Sequence, residues 1–446
     1  MHALTWPAPP LQAPSLPVVV GPEAPPPAED CLYLNVWTPL QAEGCPVFVW
    51  VHGGANIAGS SSMPVFDGAR FAARGIVCVT ITYRVGVFGF LELGELLGPA
   101  YAGSALNGLL DMAAALRWVH DNIAAFGGDP ERITLGGQSA GAKNLAALLV
   151  SRVSSVPVRG AILQSGGGQT VATRAEALAL ARRVLAALPA ARGEGALLLQ
   201  APAADLLAAQ NAALATAPAK FPFRPMIDGD ILPDYPLRGF AAGACGNVRL
   251  LCGSTRDESP VGGPPAPRDG TVGAHQLANM SLADFALKQG RYAQLYPGLD
   301  DEARKYRALA AEEYGMPTLR LVEAQVASGG AAWLYRFDLP SQEGINQGLC
   351  RHGSEMALTW DKLDDPLSSH LGPTGALAAT VGMVMHAAWV HFILHGTPST
   401  DHLDWPRYTL DARQSVRFAE TVTVVADLDR DERLLWQDWP SALSRE

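Results

Sequence analysis

The sequence predicts an α/β fold built on a mostly parallel central sheet flanked by helices, and three observations carry that prediction. Short apolar runs bounded by glycine and proline alternate with longer helical periodicities. Several of those runs are apolar at nearly every position, the pattern of strands buried on both faces. The chemically distinctive turns at residues 52–56, 137–141 and 255–258 each follow such a run. In open parallel sheets, sites form at the C-terminal ends of strands.

The elements follow in chain order. Residues 1–28 are proline-rich without periodicity and predict an irregular arm. Residues 31–37 alternate and predict a strand. Residues 46–51 and 75–83 are apolar runs that predict buried strands. Residues 107–126 carry helical periodicity through Leu109, Met112, Leu116, Val119 and Ile123. Gly127-Gly128-Asp129-Pro130 stops that helix and turns the chain into a strand at 133–135. A helix is expected over 142–150, a strand over 158–164, two or three helices within 172–216 and a buried strand over 247–252. A Gly/Pro-rich loop at 260–274 and helices over 281–329 suggest a helical cap. A strand at 331–337, a loop at 348–355, a helix at 377–394, a short strand at 415–418 and a terminal helix at 427–439 complete the chain.

Composition narrows the function. The 446 residues are 48% hydrophobic and 17% charged, enough for a large core. A formal net charge of −10 argues against nucleic acid or an anionic membrane as the main partner. The six cysteines are scattered with no C-x-x-C pair, which argues against zinc, and Cys78 sits in an apolar run as a buried thiol. The first residues lack the basic and apolar regions of a signal peptide. No uninterrupted apolar stretch reaches about 18 residues, so no membrane span is expected and the cytoplasm is the expected location.

The most specific stretch is Gly137-Gln138-Ser139-Ala140-Gly141, between the strand at 133–135 and the helix at 142–150. Strand, tight turn and helix make this G-x-S-x-G a nucleophile elbow that exposes the Ser139 hydroxyl above the sheet. Side chains at Gly137 or Gly141 would collide with the neighbouring strand and helix. A serine needs a base, and the base an orienting carboxylate. The histidines well beyond the elbow and after a strand-end acid are His352, His370, His386, His391, His395 and His402. His352 stands out because it lies in a loop after a predicted strand. His391 and His395 have the spacing of a metal pair, but no third ligand is near and helix packing is the expected role. The acid is Glu258 or Asp257, with Asp228 and Asp230 weaker because Asp228-Gly229 is a turn signal. For a developing oxyanion, Gly53-Gly54-Ala55 offers an unobstructed backbone and Ala140 a further N–H.

With these residues in hand, the chain resembles the type-B carboxylesterases, the group that includes para-nitrobenzyl esterases and cholinesterases. Residues 29–36 (Glu-Asp-Cys-Leu-Tyr-Leu-Asn-Val) look like that family's second signature, and Gly136 to Ala142 is similar to its serine signature, with Gln138 where Glu is commoner. Gly253 to Glu258 resembles the acid segment and His352-Gly353-Ser354-Glu355 the histidine segment. Trp389 to Phe392, Gly396-Thr397-Pro398 and Trp405-Pro406 resemble the late helix and its following loop. The resemblance implies an α/β-hydrolase fold with one catalytic domain over 29–446 and a helical cap insertion at about 260–330. It implies Ser139 as nucleophile, His352 as base and then acid, Glu258 as orienting carboxylate, and Gly54, Ala55 and Ala140 as oxyanion donors. The implied activity is hydrolysis of small-molecule carboxylic esters through an acyl-enzyme, with no cofactor or metal. Three departures stand out. Only the proline-rich arm precedes Glu29, a shortened N-terminus for this family. Asn56 stands where an aromatic is common. Cys31 matches a cysteine that is disulfide-bonded in secreted animal relatives, and no partner is evident here. Two other activities stay open: an amide or carbamate hydrolase using the same machinery, and a catalytically impaired or silent binding member of the fold. The presence of both nucleophile and histidine weighs against the silent form.

Overall fold

The structure, a computed structural model, describes residues 3, 5–13, 23–188, 197–258, 272–342, 347–365 and 372–438. The rest of the arm, most of the Gly/Pro-rich loop at 260–274, His370 and Trp439, the last residue of the expected terminal helix, lie outside the described residues. The chain divides into two compact units, one of Met1–Val158 with Thr170–Pro236 and the other of Arg159–Gln169 with Leu237–Glu446.

The first unit is organised on strands β1 (Leu34–Trp37), β2 (Cys45–Val51), β3 (Val77–Ile81) and β4 (Gly128–Gln138). Their order is β1-β3-β2-β4, with β1 antiparallel and the others parallel. Burial explains the continuous apolar runs: β3 is buried throughout, as is β2 beyond its first residue. β4 is longer than the sequence suggests. Gly128 already pairs with Cys45, and a register shift follows before Ile133 pairs with Val47. The helix Asn107–Asn122 buries Leu109, Met112, Leu116 and Val119 and tightens into a 3₁₀ turn at Ile123–Phe126. Gly127, in the left-handed region at φ +80°, ends it.

The second unit carries β5 (Gly160–Gln164), β6 (Arg249–Thr255), β7 (Ala332–Phe337), β8 (Gln414–Phe418) and β9 (Thr423–Ala426) in sequential order. β5 to β8 are parallel and β9 is antiparallel at the edge. β9 is absent from the sequence-based expectation because it is only four residues long and alternates between half-buried and exposed. The terminal helix is correspondingly short, Arg430–Leu435, since Asp427 and Asp429 both hold positive φ and a helix cannot start before them. Helices fill most of residues 282–327 as expected, with a π-helical turn, Ala311–Gly315, between Asp301–Ala310 and Met316–Ala327.

Among the described residues one helix, Gly375–His395, is long and apolar enough to cross a membrane by length and composition, and half of its most apolar window is buried in the protein. Its polar groups bond within the second unit: Trp389 Nε1 donates to Gln164 Oε1 at 3.1 Å, and His386 Nδ1 lies 2.9 Å from the Thr359 carbonyl. Trp389 also packs against Tyr335, Trp405 and Phe418. Core packing accounts for the buried half of that window.

Candidate active site

β4 delivers Ser139 to the start of the helix Ala140–Val150. Ser139 has φ +58° and ψ −126°, a strained conformation for a residue with a side chain. The flanking glycines allow it. A Cβ on Gly141 would stand 2.2 Å from the Val51 carbonyl oxygen, and one on Gly137 would stand 2.8 Å from the Gly141 carbonyl carbon. The elbow is therefore pressed against both the end of β2 and its own helix. Ala140 is the first residue of that helix, so its N–H has no intrahelical acceptor and sits at the positive end of the dipole.

β2 ends in the second component. Gly54, Ala55 and Asn56 all have positive φ, at 113°, 56° and 59°. The Gly54 carbonyl accepts the Ile57 and Ala58 N–H groups, both at 3.0 Å, folding the turn on itself. Among the described residues, the N–H groups of Gly54 and Ala55 donate no hydrogen bond. His52 anchors the turn. It is fully buried, its ring stacks on Tyr83 at 4.4 Å, and its Nδ1 lies 2.7 Å from the Gly53 carbonyl oxygen. Burial pushes its pKa down to about 4, so it is a neutral structural imidazole at physiological pH. Asn56 points inward, with Nδ2 donating to the Phe223 carbonyl at 3.1 Å and Oδ1 accepting from Asn144 Nδ2 at 2.7 Å. Ser139 and Ala140 line a small pocket that Ala55 and Asn56 also line.

The other predicted residues meet in the second unit. Glu258 follows β6, is buried, and has φ +42°. Its Oε1 accepts from Ser165 Oγ at 2.6 Å and from the Thr255 N–H at 2.8 Å. Its Oε2 lies 2.5 Å from His352 Nδ1. Backbone bonds fix the pairing: the Glu258 N–H donates to the Cys350 carbonyl, and the His352 N–H donates to the Glu258 carbonyl at 3.1 Å. Asp257, the alternative acid, instead pairs with Arg256 at 2.9 Å and accepts the Cys350 N–H at 2.7 Å. Asp228 caps a turn through the Asp230 and Leu232 N–H groups. Among the other histidines, His391 Nδ1 lies 2.9 Å from the Thr397 carbonyl and its ring packs on His395, while His402 is exposed. Among the described residues no group of three His, Cys, Asp or Glu is placed to hold a metal.

Three neighbours escape a reading of the sequence. Ser165, at φ +49° after β5, completes the shell of Glu258. Tyr314, from the π-helical turn, packs its ring 4.3 Å from that of His352. Glu355 is fully buried and accepts from Gln164 Nε2 at 3.2 Å. Desolvation, then the Glu258 charge, raises its pKa to about 7. The signal for Ser165 and Glu355 was their place after a strand and inside the histidine segment, but spacing alone does not mark burial.

Known proteins similar to this chain identify its family. The pattern of the carboxylesterase family matches residues 10–436. The para-nitrobenzyl esterase of Bacillus subtilis (strain 168) is 33% identical over 425 residues, 92% of this chain and 83% of the relative. The fumonisin B1 esterase of Sphingopyxis macrogoltabida is 33% identical over 398 residues, 85% and 71% of the two chains. The crystal structure of the Geobacillus stearothermophilus carboxylesterase EST55 superposes with a TM-score of 0.81 at 34% identity, covering 94% of this chain and 88% of that one. A serine elbow, a glycine turn at the end of β2 and a buried carboxylate on a loop histidine thus occur in a chain that belongs to the carboxylesterase family, an esterase of the α/β-hydrolase fold.

Proposed function

We propose that the protein hydrolyses carboxylic esters of small molecules with Ser139 as nucleophile, His352 as general base and acid, and Glu258 as the orienting carboxylate. The observation that carries this reading is the 2.5 Å contact between Glu258 and His352 Nδ1, with the other carboxylate oxygen already held by two donors. A carboxylate so surrounded accepts a proton bond from Nδ1–H and fixes the tautomer that leaves Nε2 as a base. Nε2 takes the Ser139 proton as Oγ attacks the ester carbonyl. The oxyanion is received by the N–H groups of Gly54, Ala55 and Ala140. The imidazolium returns its proton to the leaving alcohol, and water repeats the sequence on the acyl-enzyme. Cleavage of amides or carbamates would use the same atoms, an amide expelling an amine as leaving group and a carbamate passing through a carbamoyl-enzyme.

Hydrolysis of para-nitrophenyl acetate, butyrate and octanoate by wild type and Ser139→Ala tests this. The expected outcome is turnover by wild type and a loss on the order of 10⁴-fold or more in the variant. A Ser139→Ala protein with full activity refutes the proposal.

A further inference from the structure

The donors for one oxyanion come from two separate elements. Gly54 and Ala55 lie in the turn after β2, and Ala140 opens the helix Ala140–Val150. Such donors help only when their spacing is fixed before the charge develops. The turn is a costly shape, because Gly54, Ala55 and Asn56 hold positive φ in succession. A backbone of that kind persists where its surroundings over-determine it.

Asn144 reaches that turn from the helix. It stands at i+4 from Ala140, on the same helix face, and is buried. Its Nδ2 donates to Asn56 Oδ1 at 2.7 Å, and its Oδ1 accepts from Asn56 Nδ2 at 3.4 Å, a reciprocal amide pair. Asn56 Nδ2 also donates to the Phe223 carbonyl, and the Asn56 carbonyl accepts the Gly86 N–H. The Asn56 amide is therefore committed to the protein, although the residue borders the pocket at Ser139. Asparagine suits position 56 in two ways: it tolerates the left-handed region at φ +59°, and it carries the amide that matches Asn144. The other flank of the turn is tied to the same helix residue. Tyr83 donates its hydroxyl to the His52 carbonyl at 3.0 Å and stacks on the His52 ring, and Asn144 hydrogen-bonds Tyr83. Asn144 thus holds Asn56 directly and His52 through Tyr83, one on each side of Gly53-Gly54-Ala55.

We propose that Asn144 is a positioning residue for ester hydrolysis: acting through Asn56, it holds the Gly54 and Ala55 N–H groups at the spacing from the Ala140 N–H that one oxyanion requires. The proposal rests on Ser139 being the nucleophile and on these N–H groups being the donors. The oxyanion exists in the tetrahedral intermediate and not in the bound ester. Loss of the amide pair therefore falls on kcat more than on KM.

The test uses wild type, Asn144→Leu, Asn56→Gly and the double variant. It measures hydrolysis of para-nitrophenyl butyrate per folded molecule, inhibition by a trifluoromethyl ketone that forms a tetrahedral adduct with serine, and Tm. Each single variant is expected to lose on the order of 10²-fold in kcat. KM is expected to change by less than about threefold. Ketone inhibition is expected to weaken by the same factor as kcat/KM, since the adduct carries the oxyanion. The double variant is expected to fall within about threefold of the poorer single variant, because the two side chains act as one unit. Asn56→Gly deletes the amide at a left-handed position that glycine adopts freely, so it decides by itself if Asn144→Leu does not fold. Wild-type kcat and unchanged ketone inhibition in folded Asn56→Gly overturn the proposal, whatever the change in Tm. A double-variant loss equal to the product of the single losses also overturns it. Both outcomes leave the esterase reading standing. Folded wild type that does not hydrolyse the ester overturns the esterase reading, and this proposal with it.

Discussion

At the scale of single residues, the site depends on side chains held in conformations that cost free energy. Ser139 and Glu258 both have positive φ, and each is over-determined by its surroundings: two glycines that permit close packing in one case, a shell of hydrogen bonds in the other. Glu258→Gln keeps the shape but removes the carboxylate that fixes the His352 tautomer. It is expected to lower kcat on the order of 10⁴-fold with little change in Tm, measured by steady-state kinetics beside thermal unfolding. Residue chemistry and chain order single out Ser139 and His352 in the sequence and narrow the acid to Glu258 or Asp257; the family resemblance, not spacing, prefers Glu258. Ser165, Tyr314 and Glu355 were not. Serine, tyrosine and glutamate are common, and only their burial against Glu258 and His352 distinguishes these three.

At the scale of elements, the elbow shows how packing makes glycine obligatory. Gly141→Ala would press a methyl group to 2.2 Å from the Val51 carbonyl, backbone against backbone, with no side chain able to yield. It is expected to destabilise the protein by more than about 3 kcal/mol, or to abolish soluble expression. Gly298 is the control: nothing lies within 4 Å of its Cβ position and its φ is not positive. Gly298→Ala is expected to leave stability unchanged or raise it by about 0.4–1 kcal/mol, read from urea unfolding of the two variants side by side. The buried strands and long helices were legible because continuous apolar runs and the 3.6-residue period are strong signals. Element ends were less so. β4 begins five residues before its apolar core, because pairing with Cys45 is a tertiary contact that no local pattern carries. β9 and the short terminal helix depend on positive φ at Asp427 and Asp429, which aspartate tolerates but does not announce. The π-helical turn that carries Tyr314 lies inside an unbroken helical pattern and leaves no mark in it.

At the scale of the whole molecule, two buried groups set opposing pH dependences. Glu355 holds its proton in the native state up to about pH 7, against an ordinary 4.5. Between those values the unfolded chain binds fewer protons, so this term lowers stability as pH rises through the window. His52 is held down to about 4 from 6.5, so the unfolded chain binds more protons there and stability rises with pH through that window. The two slopes oppose each other across pH 4.5 to 6.5 and largely cancel in wild type. Glu355→Gln exposes the remainder. Its stability relative to wild type is expected to increase from pH 5 to pH 8 by up to about 3 kcal/mol, measured by denaturant unfolding at the two pH values. A difference that is flat with pH would mean that Glu355 ionises normally.

The central claim is that catalysis passes through a covalent acyl-enzyme at Ser139. Stoichiometric treatment with a fluorophosphonate ester, followed by peptide mass spectrometry and a parallel assay of para-nitrophenyl butyrate hydrolysis, tests it most directly. One phosphonyl group on the peptide containing Ser139, with activity lost in proportion, is the predicted result. Full activity after quantitative labelling at Ser139, or inactivation that tracks labelling at another residue, would contradict it.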